Sequence, residues 1–384
     1  MLTQRNNSTR VLTALALLVV FASAGAILNA KGKPTPPPPT PTISFSMTMI
    51  DGSYAEAMNE LGDVVGTMHI AGLPRPFLYY NDTGETINLY DLFTPADQDQ
   101  WISWWAYGIN CQRQISGSAY KLNQETGEVE NFAVLFTPEH TDELENVVPA
   151  SVITIGPPGD ASYGFDINES GVVTGSYSDN GNVARGFVYS DGVFEDIGDL
   201  GGGRTAAYAI NNSGEVAGIS YDTDGNGRAF RYDPQTQLME NLGIIKAGMP
   251  SLFGNHSSGF DINDFSVVVG NASAGARKGH NKYHVFRDAG AGMEDLGTLG
   301  GLQSGTSGVN SMGEIVGQSY DNDNQNVNFL YTDEIGMVAL QPLIINLPAD
   351  MKTMYVHGIN DLGEIFGDVT FTDGTGSVFL LTPN

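Results

Sequence analysis

YAINNSGEVAG, residues 208–218, returns in altered form along most of the chain, and the fold follows from what its positions demand. Seven copies align: AMNELGDVVG (57–66), GINCQRQISG (108–117), DINESGVVTG (166–175), AINNSGEVAG (209–218), DINDFSVVVG (261–270), GVNSMGEIVG (308–317) and GINDLGEIFG (358–367). Their anchors are Asn59, Asn110, Asn168, Asn211, Asn263, Asn310 and Asn360, spaced by 51, 58, 43, 52, 47 and 50 residues, a period that suits one propeller blade. In five copies Gly follows the Asn by three places, which predicts a type I turn with Asn first and Gly fourth. The fifth residue after Asn is always Val or Ile and the seventh always Gly. These two share a strand face, so a bare glycine beside a branched side chain predicts another backbone crossing closely over it.

Working outward, each hairpin leads to a third strand with a recurring aromatic, at Phe77, Phe187, Phe230, Phe286, Phe329 and Phe379. A fourth strand follows, as in FEDIGDLGGG (194–203), LMENLG (238–243) and MEDLGTLGG (293–301). Four strands in each of seven units predict an all-β chain, a seven-bladed β-propeller of four-stranded blades. The last unit lacks a fourth strand, while SFSMTMI (44–50) alternates as a half-buried strand ahead of the first hairpin. Pairing the two would close the propeller and remove its open edges, whereas a linear solenoid would need capping units at its ends.

INNSGEVAG, RAFRY, EDIGDLGG and EDLGTLGGLQS resemble the repeats of the bacterial HAF family of extracellular repeat proteins, over nearly all of residues 44–384. The His of that family is missing before the aromatic, where this chain has Pro76, Gly186, Ala229, Val285, Asn328 and Val378. The resemblance implies an extracellular location and a repeat architecture, with no chemistry to transfer.

Ahead of the repeats, residues 1–30 hold Arg5, Arg10 and the apolar run VLTALALLVVFASAGAIL (11–28), which reads as a secretory signal or an uncleaved membrane anchor. Either predicts export, to a secreted, cell-surface or periplasmic location. KGKPTPPPPTPT (31–42) predicts a stiff, extended spacer, leaving residues 43–384 for the propeller. A single cysteine, Cys111, excludes an intramolecular disulfide. With 44 acidic against 17 basic residues the net charge is −27, so nucleic acid and anionic membranes are poor partners.

Three segments interrupt the repeat. Residues 91–108 contain Trp101, Trp104 and Trp105 beside Asp97 and Asp99, which are either core residues or a platform for stacking sugar rings. Residues 123–160 carry Glu139, His140, Asp142, Glu143 and Glu145, and residues 243–259 carry His256; both read more simply as polar loops. Asp222, Asp224 and Asn226 alternate around glycines as Ca2+ ligands do, with Asp321 and Asp323 at the equivalent hairpin of another unit and a weaker version in SDNGNV (178–183), although plain turn chemistry favours the same residues. Any such ion would be structural. The histidines are scattered, no GxSxG elbow or phosphate loop is present, and Cys111 reads as a small buried hydrophobe. These residues predict a non-enzymatic binding or surface-interaction scaffold whose partner is a polysaccharide or an envelope protein. The alternative is a polysaccharide hydrolase or lyase whose Asp and Glu pairs meet across blades.

Overall fold

In every repeat the strand before the anchor Asn pairs with the strand after it, and the strand carrying the aromatic pairs next. The fourth repeat is typical: Gly201–Ile210, Val216–Asp222, Gly227–Asp233 and Leu238–Gly243 form one antiparallel meander in chain order. The computed structural model describes residues 43–92, 101–123, 127–141, 147–148, 150–157, 161–179, 183–246, 255–277 and 280–384. The signal or anchor segment and the proline spacer lie outside them. The fold is all-β, a succession of four-stranded sheets of β-propeller type whose facing sides bury Val, Ile and Phe. The fifth and sixth units are linked by one parallel bridge, Tyr283 to Gln303. In the seventh, Phe45–Ile50 pairs with Gly376–Pro383 and takes the outer position that the fourth strand fills elsewhere.

The second unit is more regular than its sequence suggests. Residues 123–160, read above as an irregular break, supply its third strand, Val129–Thr137, and its fourth, Ser151–Thr154. Val134 stands opposite Gly117, where the other units place the aromatic, and that exchange hid the strand. Asp142, Glu143 and Glu145 lie outside the described residues.

The anchor asparagines do two jobs. Within a unit, the Asn263 side-chain oxygen accepts from the backbone N–H groups of Phe265 and Val267, both at 3.0 Å, and its carbonyl accepts from Ser266. Between units, the Asn59 amide donates to the Asn110 carbonyl, and the same bond recurs down the chain to Asn310, which donates to Asn360. The Asn360 amide then donates back to the Asn59 carbonyl at 3.3 Å. Every unit is thereby bonded to the next at one residue type. Where the turn glycine is missing, Arg113 and Ser266 adopt φ of +60° and +61°, a region that disfavours a side chain. Arg113 is held there by Asp63 at 2.8 Å and by the Tyr80 ring.

The glycine seven places after each Asn is explained by a second regularity. All seven leading strands shift register between the fourth and second residues before the Asn, a β-bulge. The carbonyl just ahead of the bulge is carried over the glycine: a Cβ on Gly218 would lie 2.0 Å from the Ala206 oxygen, and on Gly175 1.9 Å from that of Tyr163. The aromatic of the third strand stands opposite this glycine, as Phe230 does to Gly218.

Candidate functional site

The bulges determine which side chains are redirected, since a bulge turns the extra residue out of the sheet's alternation. Those residues are Glu56, Tyr107, Phe165, Tyr208, Phe260, Ser307 and His357, one from each unit. Four consecutive ones form an aromatic arc: Tyr107 and Phe165 lie 6.0 Å apart, Phe165 and Tyr208 5.8 Å, Tyr208 and Phe260 5.8 Å. The remaining three are polar. His357 Nε2 is 2.7 Å from Asp368 Oδ2, while Asp368 Oδ1 accepts the Ala55 N–H. Burial pushes the Glu56 carboxyl up; the nearby His357 opposes the rise and Asp368 adds to it.

One residue further along, Asp166 and Asp261 line a recess of about 240 Å3 to which all seven hairpins contribute. Each carboxylate is fixed by backbone: Asp166 accepts from Ile167 and Ile210, Asp261 from Ile262 and Val309. Burial pushes Asp166 up to about 7, helped by the charge of Asp261, and Asp261 up to about 6 by burial alone against its two backbone donors. The rim is the residue after each Asn. Glu60 accepts the Asp361 N–H at 2.7 Å, Asp361 that of Ser311 at 2.6 Å, Asp264 that of Asn212, and Glu169 that of Cys111. Burial, and then the charges of Asp361, Glu169 and Asp264, raise Glu60 to about 7 against the bond from Asp361. Among the described residues no Lys or Arg pairs with Asp166, Asp261 or these four rim carboxylates.

These raised carboxyls predict a pH effect on stability. The folded state binds their protons more tightly than the unfolded chain, so the contribution of Asp166, Asp261 and Glu60 to stability is greatest at low pH, falls between about 4 and 7, and is level above. Asp166→Asn loses one of the two backbone bonds at either pH but should remove part of that slope, so its urea midpoint relative to the unmodified protein is higher at pH 8 than at pH 5. An equal change at both values would show that Asp166 titrates normally.

The tryptophans do not form one platform. Trp104 is 3 % exposed and packs on Phe136 at 5.5 Å within the core that includes Val65, Leu78 and Leu89. It is corrected to a core residue, at the position where the next units place the buried Ser162 and Thr205. Counting back from the anchor Asn locates it. Trp104→Phe should cost about 1–2 kcal/mol, measured by denaturant unfolding. Trp101 and Trp105 keep partial exposure, the first beneath Lys121 and the second edge-on to Tyr120 at 5.3 Å. Asp97 and Asp99 lie outside the described residues.

The Asp222, Asp224 and Asn226 segment is also corrected. Asp222 Oδ1 accepts from the backbone of Asp224 and Asn226, and Oδ2 pairs with Arg228 at 3.1 Å, so the carboxylate faces donors and leaves no lone pairs convergent for Ca2+. It is a turn, and Asp321 repeats it with Asp323 and Gln325. His256 Nδ1 accepts the Gly227 N–H at 2.8 Å, a structural contact between units. Cys111 is half-buried, and burial followed by its bond to Glu169 pushes the thiol up to about 11, unsuited to a nucleophile.

No protein-family model matches the chain, and no curated protein does. Among solved structures it is similar to prolyl endopeptidases, described in an analysis of inter-domain dynamics in catalysis and specificity, with a TM-score of 0.53 at 10 % identity over 89 % of this chain and 50 % of that one. It therefore spans half the length of that peptidase. It is also similar to TolB from Acinetobacter baumannii, at 12 % identity, TM-score 0.40, over 88 % of this chain and 96 % of that one. A third likeness is to the β-propeller domain of the Trilobed protease from Pyrococcus furiosus, at 10 % identity, TM-score 0.37, over 72 % of this chain and 92 % of that one. At these identities the likeness is one of fold alone.

Proposed function

We propose that the chain is an exported, non-enzymatic binding scaffold of the HAF-repeat type: a seven-bladed propeller, closed by its first strand in its last blade, that holds an envelope protein or polysaccharide at its hairpin face. The return of the Asn360 bond to Asn59 and the pairing of Phe45–Ile50 with Gly376–Pro383 support closure. The apolar run at 11–28 supports export. The observation that carries the binding reading is the recess to which all seven hairpins contribute, edged by carboxylates without cationic partners among the described residues. Retention of purified protein on isolated envelope material tests it. The double variant M312K/L362K, on the hairpin face, should lose retention, while W101A/W105A keeps it. Loss only in the tryptophan variant would move binding to that strand, and no retention of the unmodified protein would overturn the reading.

The second reading, a hydrolase or lyase, rests on Glu56 beside the His357–Asp368 pair. It requires products released from a polysaccharide panel and their loss in Glu56→Gln; silence across the panel removes it.

A further inference from the structure

The second residue after the anchor Asn lies at the tip of each hairpin, and its character divides the seven units in two. Phe265, Met312, Leu362 and Leu61 occupy the fifth, sixth, seventh and first tips, with exposures of 71, 64, 62 and 49 %. Gln112, Ser170 and Ser213 occupy the other three. The Asn-to-Asn bonds run from 263 to 310, 360 and 59, so the four apolar tips belong to consecutive neighbours. They form a crescent of tips on four successive hairpins, each of which also lines the recess. Isolated exposed apolar residues need no explanation, but four in register beside a cavity mark an interaction surface.

The charge beside the crescent selects its occupant. Glu60, Asp264 and Asp361 alternate with the apolar tips along the same hairpins, one residue earlier in the sequence, and Asp166 and Asp261 line the interior. The rim carboxylates are aimed by backbone N–H groups of neighbouring hairpins, such as the 2.7 Å bond from Asp361 to Glu60. The chain's net charge of −27 adds a long-range bias in the same direction. An acidic or neutral apolar partner would leave these carboxylates buried without a counter-charge, at high cost. We infer that the hairpin face docks a polypeptide segment that inserts one Lys or Arg side chain into the recess and lays flanking apolar side chains on the crescent of Phe265, Met312, Leu362 and Leu61. This rests on the proposed use of the hairpin face and names the chemistry of the partner.

The test uses the full chain and fluorescein-labelled probe peptides, Gly-Phe-Lys-Phe-Gly with both ends blocked, and its Gln and Glu counterparts, read by anisotropy. The Lys peptide should bind at least about tenfold more tightly than the Gln peptide and more tightly still than the Glu one. Its affinity should fall as NaCl rises from about 0.05 to 0.5 M. Met312→Lys, at an exposed tip that does not support the fold, should weaken it by about tenfold or more, whereas Leu238→Lys, on an exposed outer strand, should not. Asp264→Asn should reduce the salt dependence of Lys-peptide binding. Equal binding of the three peptides, or equal loss in the Met312 and Leu238 variants, overturns the inference. Envelope retention that depends on Met312 and Leu362 without preference for the Lys peptide would sink the inference alone. Absence of envelope retention would sink the proposed function.

Discussion

Asn263→Ala lowers the melting temperature by about 5 °C, the shift expected when about 4 kcal/mol is removed from a chain of this size. Asn263 is 6 % exposed, its bond to the Asn310 carbonyl is buried, and those from Phe265 and Val267 are partly buried. Its loss leaves the N–H groups of Phe265 and Val267 without their acceptor and the Asn310 carbonyl without its inter-unit donor. Each orphaned buried group costs on the order of 1–2 kcal/mol. Asn263→Asp separates the two jobs. The carboxylate still accepts from Phe265 and Val267, so the turn is kept, but it cannot donate to Asn310 and places a negative charge against a carbonyl. Its deficit should shrink as pH falls, because a protonated carboxyl regains a donor and the folded state favours that proton. If Asn263→Asp is as stable as the unmodified protein at pH 7, the bond between units contributes nothing and the asparagine is conserved in every copy of the repeat for its turn alone. Asn263 suits this comparison because Val267 stands where other units have a carboxylate that pairs with the asparagine, such as Glu215 with Asn211.

How much of this was legible in the sequence depends on whether a residue acts within its own repeat or between repeats. The turn was legible, since Asn first and Gly fourth is a local signature, and so was the glycine at Gly218, whose constancy in all seven copies signals a crossing backbone. The partner that crosses, the Ala206 carbonyl, was not: a bulge leaves no residue type behind, only a shift of pairing. For the same reason the redirected side chains were missed. Glu56, Tyr107, Phe165, Tyr208, Phe260, Ser307 and His357 share no chemistry, and only counting three places back from each Asn groups them. The carboxylates of Asp166 and Asp261 stood in plain view inside the motif, yet each is fixed by a backbone donor of the next unit, 44 and 48 residues further on. By contrast the tryptophans drew notice because they are rare, and Trp104 is a core residue whose size replaces a serine or threonine of other units. Asp222 drew it for its ligand-like spacing, which Arg228 had already claimed.

Gly218→Ala should be at least as damaging as the asparagine change, and its comparison with Gly225→Ala shows why the motif ends in glycine. Gly225 has φ +78°, and a Cβ there would meet nothing within 4 Å, so alanine bears only the strain of a left-handed backbone, about 1–2 kcal/mol. Gly218 has an ordinary strand backbone, on which alanine is not strained by its dihedral angles. Its added methyl would instead lie 2.0 Å from the Ala206 oxygen and 2.9 Å from the Phe230 ring. Neither neighbour can yield easily: the oxygen belongs to a bulge with paired residues before and after it, and Phe230 is fully buried against Val216 and Tyr232. Relief requires the leading strand to slide off its bulge, which would turn Tyr208 out of the aromatic arc with Phe165 and Phe260. The expected cost is about 4 kcal/mol or more by equilibrium denaturation, two or more times that of Gly225→Ala. A near-ultraviolet circular dichroism spectrum should change for Gly218→Ala and not for Gly225→Ala, because only the first disturbs packed aromatic rings. If the two alanines cost the same, the crossing carbonyl is not what fixes the glycine, and the coupling of bulge, glycine and aromatic that repeats through the fold would have to be abandoned.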